Sequence, residues 1–146
     1  MKNDPINFVP RSALAPGILG LLPVISLTAF IFHQAPKVHD EALSALIAYR
    51  AVILSFLGGA KWGLVISGAS PVKFAFQLGI IVLPPLAGWD AILIENSAGL
   101  IVLSVAFSLM LFTDYIISDA PVWYLRLRVA LSLPVIACLP IVLSVQ

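Results

Sequence analysis

Five stretches of mostly apolar residues, each about as long as a bilayer is thick, follow one another along this chain with only short polar turns between them. The hydrocarbon core of a membrane is about 30 Å deep and a helical residue rises about 1.5 Å, so a span needs roughly 20 such residues. The stretches run near 13–32, 42–68, 74–93, 98–117 and 125–145. In lipid every backbone amide must be bonded within the protein, which leaves helices or a closed barrel. Continuous apolar runs of this length fit helices.

Charge confirms the solvent. Only 10% of the 146 residues are charged and 61% are hydrophobic, whereas a soluble domain carries about 25% charged residues to cover its surface. So few charges clothe the two polar ends of a bundle and leave its sides for lipid. The expected fold class is therefore all-α, a polytopic membrane helical bundle of about five transmembrane helices in a single integral membrane domain. A net charge of +1 offers no basic field for nucleic acid. The lone Cys138 excludes an internal disulfide and reads as a small apolar helix residue.

The turns hold Pro36, Ser70-Pro71, Glu95-Asn96-Ser97 and Ser118-Asp119-Ala120-Pro121, and none has room for a soluble domain. The first span is expected to open after Ser12 as N-cap. Six prolines (Pro16, Pro23, Pro84, Pro85, Pro134 and Pro140) fall inside spans, where neighbouring helices can satisfy the carbonyls they free. Pro84-Pro85 is expected to kink or interrupt the third span. With the N-terminus inside, Lys2, Arg11, Lys73, Arg126 and Arg128 lie on the inner side and only Lys37 on the outer. That bias places the N-terminus in the cytoplasm. The short acidic start and the absence of a cleavage site after the first apolar stretch point to a multi-pass protein of the cell inner membrane, or of the mitochondrial inner membrane in a eukaryote.

Candidate functional residues are the charges that lie within spans. Arg50 and Lys61 are eleven positions apart on one span, and at about 100° per residue they return to nearly one face, with Leu54, Leu57 and Gly58 beside them. A mid-span Lys or Arg costs about 2.5–3.5 kcal/mol on insertion scales. Two arrangements relieve that cost. Arg50 and Lys61 can snorkel to opposite interfaces, or the stripe can face the interior and pair with acids. The acids at matching depth are Asp90 and Glu95 for Arg50, and Asp114 for Lys61.

Gly58, Gly59 and Gly63 offer close helix packing. Trp62, Trp89, Tyr115, Trp123 and Tyr124 stand near span ends as interface anchors. Trp123, Tyr124, Arg126 and Arg128 form a basic and aromatic group at the expected inner face. His33 and His39 in the first outer turn do not fix a coordination geometry, so no metal is expected. No cofactor motif and no catalytic constellation is present, which argues against an enzyme.

The segment Tyr49-Arg50-Ala51-Val52-Ile53-Leu54-Ser55-Phe56-Leu57-Gly58-Gly59-Ala60-Lys61-Trp62-Gly63 resembles the signature of an uncharacterised membrane family. That family takes in bacterial inner-membrane proteins and the mitochondrial transmembrane protein 69. Ala120-Pro121-Val122-Trp123-Tyr124-Leu125-Arg126-Leu127-Arg128 is similar to its Pro-x-Trp-Tyr-x-x-Leu-Arg element, and Leu83 to Trp89 match its third span. Arg50 departs from the small residue the resemblance implies there, while Lys61 keeps a basic character. The resemblance implies a multi-span protein and supplies no catalytic residues.

Three functions fit these residues. The first is a non-enzymatic accessory, assembly or scaffolding protein, whose partners are the lipid bilayer and another membrane protein or further copies of itself. The second is a small oligomeric transporter or channel using Lys61 and Asp114. The third is an anionic-lipid-binding protein or membrane enzyme, in which Lys61, Trp62, Arg126 and Arg128 read a headgroup.

Overall fold

The computed structural model describes residues 9–33, 36–68, 71–94, 96–117 and 122–144. Among them are five α-helices and no strand: α1 (Arg11–His33), α2 (Pro36–Gly68), α3 (Pro71–Ile94), α4 (Asn96–Ile117) and α5 (Val122–Leu143). Four contain stretches long and apolar enough to cross a membrane, namely Arg11–His33, Asp40–Gly63, Ser97–Tyr115 and Val122–Leu143. In α3 the corresponding apolar stretch is the shorter Leu78–Ile94, although the whole helix has 24 residues, enough for roughly 36 Å.

The helix starts differ from the expected ones for local reasons. Ser12 is not the cap of α1. The Pro10 carbonyl accepts from the amides of Ala13 and Leu14, so the helix begins at Arg11. Proline opens both α2 and α3, a position that needs no amide hydrogen and suits its fixed φ. The expected first outer turn is thereby mostly helix, with His39 inside α2. Gln34, Ala35, Ser70, Glu95 and Ser118 to Pro121 lie outside the described residues.

Pro84-Pro85 does not interrupt α3, which is helical throughout. The two prolines leave the carbonyls of Ile80 and Ile81 without their usual helical donors. Gly58 of α2 packs at this point: a β-carbon built on it would lie 3.4 Å from the Ile81 oxygen and 3.4 Å from Pro85 Cδ. The glycine lets the α2 backbone cover the disturbed turn, and helix continuity is kept by the neighbour.

Successive helices adjoin, joined by connections short enough to make them antiparallel. Helix α1 also packs on α5, which closes the ring, and α2 reaches across it to α4. Close approaches occur where Gly88 meets Ala51 and where Gly99 meets the backbone of Ala91. The Tyr49 hydroxyl donates to the Gly20 carbonyl at 3.0 Å and ties α2 to α1. The core holds Val24, Ile31, Leu46, Leu54, Leu100, Leu103, Phe107, Val135 and Val142. Large apolar side chains also cover the outside, with Phe56 71% exposed and Leu109 59% exposed. In water such a surface would aggregate; in lipid it is the normal exterior of a bundle.

Candidate functional site

Helical periodicity turns one stripe of α2 inward. Leu46, Ile47, Arg50, Leu54, Gly58, Lys61 and Val65 recur at three- and four-residue steps, and all are buried. Neither cation snorkels. The longer span that would have allowed it is used otherwise, because the same face that carries the two charges also carries the core contacts of α2.

Lys61 meets its acid. Its Nζ lies 3.0 Å from Asp114 Oδ1 and donates a hydrogen bond of 2.9 Å to Thr113 Oγ1. The Thr113 hydroxyl donates its own hydrogen bond to the Met110 carbonyl at 2.9 Å, so it accepts from Lys61 without conflict. Asp114 is fully buried and Lys61 is 3% exposed.

A second cation shares the carboxylate. Arg128 of α5, 4% exposed, donates from Nε to Asp114 Oδ2 at 2.7 Å. Its Nη2 sits 2.6 Å from the same oxygen, out of line for a further hydrogen bond. The Arg128 guanidinium carbon lies 5.7 Å from the Tyr124 ring centroid, one turn earlier on α5, within range of a cation–π contact. One acid thus links α2, α4 and α5 through two bases. The cluster stands near one end of the bundle, where α2 and α4 finish and α5 starts.

Arg128 does not join Trp123, Tyr124 and Arg126 in a headgroup-reading face. The structure corrects that expectation: Arg128 turns inward while Arg126 is exposed. The signal lay in the pattern of α5, where Arg128, Ser132, Val135, Cys138 and Val142 recur on one face and are all buried. Trp123 and Tyr124 are half-buried, their rings edge to face at a centroid distance of 6.1 Å.

Arg50 is not paired with Asp90. Asp90 is exposed on α3, while Arg50 is completely enclosed and none of its guanidinium nitrogens has a hydrogen-bond partner among the described residues. Glu95, the other expected partner, lies outside those residues. Among the described residues, Gly58 is the one of Gly58, Gly59 and Gly63 that packs against another helix. Gly59 and Gly63 are exposed and have open space where a β-carbon would stand. Trp62 lies beside them, 45% exposed.

His33 is exposed at the end of α1. Among the described residues no group of three His, Cys, Asp or Glu is placed to hold a metal ion.

The family model described as "Protein of unknown function (DUF3429)" matches residues 9–144, which takes in every helix of the bundle. Transmembrane protein 69 of Xenopus tropicalis is 32% identical over 128 residues, 84% of this chain and 50% of the frog protein. Transmembrane protein 69 of Mus musculus is 27% identical over 128 residues, 85% of this chain and 52% of its own length. The chain spans about half the length of these curated relatives. No solved structure matches.

Proposed function

The chain belongs to the DUF3429 family of membrane proteins, and from that premise we propose that it works by lateral helix contacts, as an accessory, assembly or scaffolding component of an inner membrane. The observation that carries this reading is the outer face of α2. Gly59 and Gly63, one helical turn apart, form a small-residue pair of the kind that lets two membrane helices approach closely. Gly58, next to them in sequence, is already used to seat α3. The open pair is bordered by Phe56, Trp62 and Ile66, which are 71%, 45% and 59% exposed. Such a face offers a groove for one helix of a partner and flanking side chains to grip it. The excess of Lys and Arg on one side puts the N-terminus in the cytoplasm. In that orientation this face lies in the inner half of the membrane.

Photo-crosslinking in native membranes tests the proposal. A crosslinker in place of Phe56 should give one discrete adduct, whereas one in place of Leu109 on α4 should give only lipid. Gly59→Ile with Gly63→Ile should abolish the adduct while leaving the fold intact. Equal, diffuse labelling from both faces would refute it.

The transporter reading is favoured by a separate observation, the enclosed and unpaired Arg50, since ionisable groups kept inside a membrane commonly line substrate paths.

A further inference from the structure

Arg50 sits at the middle of the apolar stretch Asp40–Gly63 and is fully buried, as are Leu46, Ile47, Ala51 and Leu54 around it in the helix. A guanidinium has five N–H donors and no acceptor, and holds its charge throughout the physiological range. In hydrocarbon each donor left without an acceptor is costly. The one buried carboxylate among the described residues, Asp114, is already shared by Lys61 and Arg128. Among the described residues the buried charged side chains are Arg50, Lys61, Arg128 and Asp114, three cations against one anion. The interior therefore lacks negative charge, and lacks it most at Arg50.

Arg50 is not the only buried polar group without a partner. The hydroxyls of Thr28 on α1 and Ser104 on α4 also have none among the described residues, and α1 and α4 both pack on α2. Space adjoins them. A cavity of about 120 Å³ begins one turn along α2 from Arg50, at Ile53. It continues past Leu57 and Leu21 and follows α5 from Val135 to Arg128. Its walls are almost wholly apolar, and the charged residue that lines it is Arg128; Arg50 lies one turn beyond its near end.

We propose that the bundle interior binds a small planar oxyanion, of the carboxylate or bicarbonate class, on the Arg50 guanidinium. The planar fork of arginine holds two oxygens side by side, a geometry that a spherical halide does not match. Thr28 and Ser104 are buried hydroxyl donors without partners among the described residues, on the two helices that flank α2. Full enclosure of Arg50 restricts the ligand to a few atoms and means that it is held away from both faces of the membrane. The site is independent of the outer face of α2, so Gly59→Ile with Gly63→Ile should leave it unchanged even where the contact reading fails.

The test uses the full chain in mild detergent, with thermal unfolding followed in sodium formate, bicarbonate, chloride or gluconate at equal ionic strength. Formate and bicarbonate should raise Tm saturably, by roughly 5–10 °C at about a hundredfold excess over Kd. Chloride should do less, and gluconate nothing. Arg50→Met should lose the response and Lys61→Met should keep it. Where Arg50→Met does not fold, Arg50→Lys keeps the charge without the fork and should respond to chloride as strongly as to formate. The proposal is overturned by a wild type indifferent to all four anions, by an Arg50→Met variant that responds like wild type, or by an Arg50→Lys variant that still prefers formate. Octanoate outperforming formate would put the carboxylate on an acyl chain and sink the enclosed small-ion site.

Discussion

Asp114→Asn is the substitution that most directly tests the cluster, because it removes the only negative charge from between two buried cations. In the wild type that charge stands 3.0 Å from Lys61 Nζ and 2.6 Å from Arg128 Nη2. Unit charges at such spacings attract by roughly 5–6 kcal/mol each at an effective dielectric constant of about 20. Desolvation of the three ions opposes this, so the net loss is smaller than the two attractions together. Breaking one buried pair by removing a partner costs about 3–5 kcal/mol. Asp114→Asn strands both bases at once and should reach the top of that range, near 5 kcal/mol. Lys61→Met leaves the acid with Arg128 and should cost less, about 1–3 kcal/mol. Replacing all three together, with Lys61→Met, Asp114→Leu and Arg128→Met, removes the uncompensated charge and should restore stability to within about 1 kcal/mol of wild type or exceed it.

The assay is unfolding from mild detergent by titration with SDS, followed through tryptophan fluorescence; Trp123 lies close to Arg128 along α5. The shared carboxylate also changes what a charge swap can do. Lys61→Asp with Asp114→Lys rebuilds the α2–α4 pair but sets a new lysine against Arg128, so the swap should recover only part of the loss. Wild-type unfolding of Asp114→Asn, or a triple replacement as unstable as that single change, would refute this reasoning.

Packing and charge distribution set further outcomes. Gly99→Ala should destabilise the bundle by about 1–3 kcal/mol in the same titration, because a β-carbon there would lie 2.5 Å from the Ala91 carbonyl oxygen, a backbone atom that cannot swing aside. Gly59→Ala, with open space at that position, should change stability by less than about 0.5 kcal/mol. Reporters fused before α1 and after α5 should fall in opposite compartments, the first cytoplasmic. Signals from the same side would overturn the five-span topology.

The helices and the Lys61–Asp114 contact were legible in the sequence for the same reason: each breaks a contrast that a bilayer makes strong. An apolar run of twenty residues is rare in a soluble chain, and a charge inside such a run is rare in a membrane chain, so both stand out. The inward faces were far less legible. In water, hydropathy separates the core side of a helix from its surface, but lipid tails are as apolar as leucine and erase that difference. Thus Leu54 is fully buried while Val52 and Phe56 beside it are 63% and 71% exposed, and nothing in their hydropathy distinguishes them.

Only charges and small residues mark the inside, and each marks it ambiguously. Arg126 and Arg128 are two apart on one helix, which sends one out and the other in, yet the positive-inside bias counts them alike. Gly58 and Gly59 are adjacent, and one seats α3 while the other faces outward. Arg50 shows where reasoning by pairs stops. A search for acids at matching depth offers Asp90, but depth does not specify azimuth, and Asp90 lies on the exposed side of α3. Pairing with a buried acid accounts for Lys61, and anchoring at an interface would account for a cation near a span terminus. Neither accounts for a guanidinium sealed in mid-span, and for that reason Arg50, more than the paired cluster, is where a function peculiar to this chain should be sought.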